Sequence, residues 1–218
     1  MTAWLARALH PSRRSLWIAA LGLVGLPPVL LAAGLTWDNA TVVVILAMTA
    51  MALNLLVGYT GLVSFGHSAW FGIGGYAAAL AQKHLFPGGI VLPILFSVAF
   101  TALLALAVGF LILRRRGVYF SLLTLALCAL TFAIAFRWTA VTGGEGGLGG
   151  LERYRLGPLN LDDHLTYYAF VALIAFAAIW AMHRFVRSPF GHVLVAIREN
   201  QLRATYAERD ITPAGANR

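Results

Sequence analysis

Long apolar runs separated by short polar or glycine-bearing breaks make up most of the chain, at 16–35, 40–57, 63–82, 90–113, 118–137 and 166–185. Each comes close to the roughly 20 residues that a helix needs to cross the hydrocarbon core of a bilayer. Backbone donors and acceptors in lipid must be satisfied within their own segment, so such runs fold as helices. The pattern predicts an all-α, polytopic helical membrane protein with about six transmembrane spans. It divides the chain into an N-terminal segment (1–15), a membrane domain (16–185) carrying a long loop at 138–165, and a polar C-terminal part (186–218). In that last part Val193, Leu194, Ile197 and Leu202 recur at roughly helical spacing among arginines, which predicts a short amphipathic helix. Such a helix can lie on anionic lipid or insert into a groove of a partner protein, and periodicity fits both.

The second and third runs meet in LNLLVGYTGLVSFGHSAWFGIGGYAAAL, residues 53–80, which holds Gly58, Gly61, Gly66, Gly72, Gly74 and Gly75. Irregular backbone at membrane depth is tolerated only where protein or a water-filled cavity covers it. Broken helices of this kind are how many transporters make room for a solute. Val57-Gly58-Tyr59-Thr60-Gly61 predicts a tight turn, because glycine adopts backbone angles that other residues avoid. Ser68 with Gly72, and Gly75 with Ala79, put small residues four apart on one face and admit a neighbouring helix. Close packing and solute access both account for these glycines. Pro27-Pro28 removes two amide donors from the first run and predicts a bend there.

Composition agrees with the membrane reading: 60% of residues are hydrophobic, only 11% are charged, and the mean hydropathy is +0.80. A soluble domain carries charge on about a quarter of its residues. The net charge of +8 is arranged by topology. With the N-terminus inside, Arg7, Arg13, Arg14, Arg114, Arg115, Arg116, Arg184, Arg187, Arg198, Arg203, Arg209 and Arg218 fall on the cytoplasmic side, leaving Lys83, Arg137, Arg153 and Arg155 outside. That bias fixes the orientation, with both termini cytoplasmic, and removes the need for a nucleic-acid partner. Three arginines at 114–116 would each cost about 2.5–3.5 kcal/mol in the hydrocarbon centre, so they mark the surface and set the register of the flanking helices. Arg13-Arg14 before an apolar run resembles a signal peptide, but the run is long and Gly34-Leu35-Thr36 is a poor cleavage site; an uncleaved first span is expected. The single cysteine, Cys128, excludes a disulfide framework and a cysteine metal site.

The polar residues inside the runs carry the candidate chemistry. Asn54, Tyr59, Ser64, His67 and Ser68 are the candidate lining of a substrate pathway or gate. A histidine in a span is costly and marks a functional site by default. His67 can line a solute path, relay protons in an ion- or proton-coupled transporter or channel, or bond to a neighbouring helix, with Asn54 its nearest polar partner by position. An intramembrane hydrolase through Ser64 or Ser68 would need a histidine from another element, since adjacent residues rarely face one another. Charge topology places Asn54–Gly61 near the inner end of the second span and His67 near the start of the third. This favours a close-packed inner gate over a midplane binding site. Ser121, Thr124, Cys128 and Thr131 form an approximately helical series that either faces the interior or bonds back to its own helix. The loop at 138–165 opens with Thr142-Gly143-Gly144-Glu145-Gly146-Gly147-Leu148-Gly149-Gly150, too glycine-rich for a stable helix and lacking the Lys-Ser/Thr ending of a phosphate loop. It reads as an external docking surface, a part of an outer gate, or a flexible connection.

Four blocks occur in a familiar order: NLLVGYTGLVSFGHSAWFGIGGY (54–76), RGVYFSLLTLAL (116–127), WTAVTGGEGGL (138–148) and SPFGHVLVAIREN (188–200). Over about residues 40–205 the chain resembles the inner-membrane permease subunits of branched-chain amino acid, urea and amide ABC importers. The first and last blocks are the most specific. The resemblance implies a solute path shared with a second permease subunit, a periplasmic solute-binding protein outside, two cytoplasmic ATP-binding subunits inside, and a small-molecule substrate. It implies no cofactor, no metal and no bond chemistry in this subunit. It also makes 188–206 a coupling helix seated in a cleft of the ATPase, with Phe190 and Gly191 at its start and Arg198, Glu199 and Asn200 as its matching polar positions. Two features depart from the family: Glu208 stands where a glycine is usual, and the polar tail to Arg218 carries no further apolar run. A shortened permease chain is the expectation.

Overall fold

The computed structural model describes residues 13–114, 117–151 and 160–199. Among them the regular structure is helical: α1 (Arg13–Ala32), α2 (Trp37–Leu55), α3 (His67–Leu80), α4 (Val91–Ile112), α5 (Val118–Arg137), the single turn α6 (Thr139–Thr142), α7 (His164–Val186) and α8 (Pro189–Glu199). Five segments are long and apolar enough to cross a membrane: Ser15–Ala32, Trp37–Thr60, Val91–Ile112, Val118–Arg137 and His164–Val186. They coincide with five of the six predicted runs, and the chain is an all-α multi-pass membrane protein. Arg115 and Arg116 of the predicted surface anchor lie outside the described residues, as does the tail beyond Glu199.

The predicted run at 63–82 is displaced along the chain. Its α-helix, α3, has 14 residues and continues without a break into a π turn of 5. Residues 61–66 are not helical, and beyond Leu80 the chain opens into a π turn, Ala81–Leu85, that holds the polar Gln82-Lys83-His84. The tight turn expected at 57–61 is also replaced. Residues Leu56–Thr60 continue α2 as a π turn, in which the Thr60 hydroxyl donates to the Leu56 carbonyl at 2.5 Å. Gly61 then ends it at φ 70°, a left-handed conformation that disfavours any side chain.

Burial runs opposite to that of a soluble protein. The buried positions are mostly small or hydroxylated, among them Ala40, Thr41, Ala69, Ala77, Ser97, Ser121, Thr124 and Ala175. Large apolar side chains such as Leu21, Val24, Leu106, Phe110, Phe132 and Leu173 stand exposed. Lipid gives no hydrophobic drive to bury leucine against leucine, so helices approach through small residues and hydroxyls and leave bulky groups to the acyl chains.

The chain divides into two compact units, Leu62–Phe170, and Met1–Gly61 together with Val171–Arg218. In the first, α3 packs against both α4 and α5. The Ser97 hydroxyl of α4 donates to the Gly74 carbonyl at 2.6 Å, and a Cβ at Gly74 would lie 3.7 Å from Thr101 Oγ1. In the second, α1 packs on α2, and α8 packs on the π turn that ends α2. Helix α7 passes from one unit into the other. Its start is built by Asp163, whose carboxylate accepts from the Thr166 amide at 3.0 Å and from the Thr166 hydroxyl at 2.8 Å. Both bonds favour the ionised form and, the side-chain bond foremost, hold the Asp163 carboxyl below the usual carboxylate range.

Candidate functional site

The broken stretch is held in the first unit by one stripe of α5. Val63–Gly66 is non-helical chain without its own hydrogen-bond ladder, and α5 supplies partners in order. The Ser121 hydroxyl donates to the Val63 carbonyl at 2.6 Å, and the Phe65 amide donates to Thr124 Oγ1 at 3.2 Å. Thr124 in turn donates to the Ser121 backbone carbonyl at 2.8 Å, which fixes its hydroxyl as the acceptor for Phe65. One turn further along, Ser68 Oγ lies 3.3 Å from Cys128 Sγ. Positions 121, 124 and 128 recur as i, i+3 and i+7, one face of a helix. Of the two readings open for this series, these three face the neighbouring segment, whereas Thr131 bonds back to the Leu127 carbonyl at 2.7 Å. The approach is so close that a Cβ at Gly66 would lie 1.8 Å from the Thr124 carbonyl oxygen.

Ser64 is buried at this seam, and His67 opens α3. Among the described residues no hydrogen bond joins His67 to Ser64 or Ser68, and Ser68 is engaged with Cys128. The arrangement therefore lacks the serine–histidine contact that a hydrolase dyad requires. Asn54 and Tyr59 belong to the other unit. There Asn54 faces the π turn, its Oδ1 3.6 Å from where a Cβ at Gly58 would be.

The corner between α7 and α8 is built by Ser188-Pro189-Phe190-Gly191. The Ser188 hydroxyl donates to the Phe185 carbonyl at 2.6 Å, closing α7, and accepts from the Gly191 amide at 3.4 Å, opening α8. Pro189 sits at the first helical position, where its missing amide donor costs nothing. Gly191 is fixed by sterics: a Cβ there would stand 2.1 Å from the Val186 carbonyl oxygen. From this corner α8 presents Phe190, Val193 and Ile197 outward, with Phe190 74% exposed.

An adjoining face of α8 carries a contact that the sequence did not indicate. The Arg198 guanidinium donates to the Gly58 carbonyl inside the π turn. Its stem covers Gly61, with Arg198 Cγ 3.0 Å and Cδ 3.6 Å from where a Cβ would stand. A residue of the expected coupling helix thus touches two glycines of the expected gate. Phe190, Gly191 and Arg198 are placed in this way. Glu199 is the last residue described in α8, and Asn200 lies outside the described residues.

The glycine-rich loop is ordered where it is described. Trp138 leads into α6, and Thr142 donates from one hydroxyl to the Ala135 and Trp138 carbonyls at 2.6 and 2.8 Å while accepting from the Gly144 amide at 3.3 Å. Gly143 adopts φ 78°, and a Cβ there would lie 2.1 Å from the Gly147 carbonyl oxygen. Within 138–147 the chain forms a compact turn anchored on the end of α5.

Comparison with known proteins follows the same outline. The family described as branched-chain amino acid transport system, permease component, matches residues 36–213. The high-affinity branched-chain amino acid transport system permease protein LivM of Escherichia coli (strain K12) is 26% identical over 195 residues, covering 77% of this chain and 44% of that protein. LivM of Salmonella typhimurium (strain LT2) is 24% identical over 188 residues, covering 76% of this chain and 44% of that protein. The chain spans less than half the length of these curated relatives. No solved structure matches it.

Proposed function

Because the chain belongs to the permease-component family of branched-chain amino acid transport systems, we propose that it is a membrane-spanning subunit of an ATP-driven importer in the bacterial inner membrane, carrying branched-chain or related amino acids. A periplasmic binding protein delivers the solute, a second permease subunit completes the path, and ATP-binding subunits sit on the cytoplasmic side, where both termini of this chain lie. The subunit itself binds no nucleotide and breaks no substrate bond.

One observation carries this reading: α8 leaves the last span through a rigid corner, exposes an apolar face, and joins the broken stretch through Arg198. A helix with Phe190, Val193 and Ile197 outward fits an apolar groove on a cytoplasmic partner. Closure of the ATP-binding subunits displaces that helix. Packed elements respond by moving between discrete arrangements, which is how a lever at the membrane surface switches access to a path between spans. Ser64, His67 and Ser68, with the Ser121–Thr124 clamp beside them, are the candidate residues of one unit for that path, and Asn54 and Tyr59 are those of the other.

The test is co-purification of the epitope-tagged subunit with its ATP-binding subunits in mild detergent. Association that is lost on Phe190→Asp, on Glu199→Ala or on deletion of 188–206 supports the reading. A well-folded subunit that binds no ATP-binding subunit rejects it.

A further inference from the structure

Arg198 is one of the polar positions that the family resemblance aims at the ATPase. Its described contacts point the other way. The guanidinium donates to the Gly58 carbonyl, and the aliphatic stem covers Gly61, both in the segment that ends α2. A π turn has wider hydrogen-bond rings than an α-helix, and such single turns recur at functional sites. Here Leu56–Thr60 is bounded by a glycine held at φ 70°. Neither Gly58 nor Gly61 offers a side chain that could make this connection, so the backbone itself is what Arg198 grips. A guanidinium is a planar donor with a fixed charge, and a bond from it to a carbonyl is stronger than a neutral one.

We propose that Arg198 is a positioning residue that ties α8 to the π turn Leu56–Thr60, so that displacement of α8 is delivered to the Gly58–Gly61 backbone. Docking to the ATP-binding subunits falls to the adjoining apolar face of α8, Phe190, Val193 and Ile197. Two faces of this short helix then have separate tasks, one for the partner and one for the gate. The assignment rests on the importer reading above, but the contact itself can be judged without it.

Two measurements test it. Hydrogen–deuterium exchange on the purified subunit in detergent reads the contact alone: Arg198→Ala raises exchange across 56–62 about tenfold, and Arg198→Lys, which can still donate to a carbonyl, restores part of the protection. Unchanged exchange across 56–62 in Arg198→Ala overturns the proposal. The second measurement uses the complete importer in proteoliposomes. In Arg198→Ala the ATP-binding subunits stay bound, but substrate imported per ATP falls about tenfold. Arg198→Lys recovers part of that ratio. Loss of the ATP-binding subunits from Arg198→Ala makes the residue a docking contact and overturns the proposal, as does an unchanged ratio. If the unaltered subunit also fails to bind ATP-binding subunits, the importer reading fails, and the exchange result alone decides whether Arg198 holds the π turn.

Discussion

Ser121 on α5 donates its hydroxyl to the carbonyl of Val63 at 2.6 Å, fifty-eight positions earlier, and so closes one end of a backbone segment that has no ladder of its own. Thr124 closes the other end by accepting from the Phe65 amide. Together they pair one carbonyl and one amide of a non-helical stretch at a membrane helix junction, the kind of pairing that a chain in lipid requires.

Gly66 is the steric counterpart of that clamp. Since a Cβ would meet the Thr124 carbonyl oxygen at 1.8 Å, with backbone on both sides, neither partner can yield cheaply. Gly66→Ala is expected to destabilise the subunit by about 3 kcal/mol, in the upper range of overpacking costs. Thr124→Val keeps the shape but leaves the Phe65 amide unpaired, at a cost of about 1–3 kcal/mol. Thermal unfolding of each variant in the same detergent measures both losses. A Gly66→Ala melting curve that overlays the parent would show that the segment is not held against α5.

Gly191 has the same character at the α7–α8 corner. Its Cα lies against the Val186 carbonyl oxygen, which is 2.1 Å from where a Cβ would stand. Gly191→Ala must reopen the corner and re-aim α8, carrying Phe190 and Arg198 with it. Because α8 is short and peripheral, the melting temperature is expected to fall only slightly while recovery of ATP-binding subunits in co-purification drops at least several-fold. Retention of those subunits at the parent level would mean that the corner does not set the aim of α8.

Much of this was legible from the chain. Runs of apolar residues located five spans, because the bilayer imposes one length and one kind of secondary structure. The start of the run at 63–82 was misplaced for a physical reason: apolar composition does not reveal that Val63 and Phe65 take hydrogen bonds from Ser121 and Thr124 rather than from a helix. Spacing placed Ser121, Thr124 and Cys128 on one face but left open which way that face pointed. Thr131, similar in type and spacing, bonds to its own helix instead. The Arg198–Gly58 contact joins residues 140 positions apart through a backbone carbonyl, and no side-chain pattern at Gly58 announces it.

Asp163 gives a pH-dependent prediction outside the spans. The Thr166 hydroxyl and amide hold its carboxyl below the ordinary value of about 3.9. A depressed carboxyl pKa in the folded state adds stability that is fully present above the unfolded value and is lost as pH falls through the folded one. Protection of the first amides of α7 against hydrogen exchange is therefore expected to hold from neutral pH down to about pH 4 and to decline below it. Asp163→Asn, which can cap but does not titrate, removes the acid-dependent decline. A decline of the same size in Asp163→Asn would place its origin at another group.

Thr101 and Ser97 make opposite predictions from neighbouring positions on α4. Ser97 donates to the Gly74 carbonyl at 2.6 Å, whereas Thr101 Oγ1 is buried beside the same glycine with no hydrogen-bond partner among the described residues. Removing a satisfied hydroxyl forfeits a bond worth about 0.5–1.5 kcal/mol, so Ser97→Ala lowers stability by that amount. Removing an unsatisfied one relieves a desolvation cost, and valine has nearly the shape of threonine. Thr101→Val is therefore expected to be neutral or to stabilise the subunit by about 1 kcal/mol. Paired thermal unfolding of the two variants in one detergent decides the matter. If Thr101→Val is instead the more damaging change, its hydroxyl has a partner at the α3–α4 contact, such as a bound water, that the packing around Gly74 must accommodate.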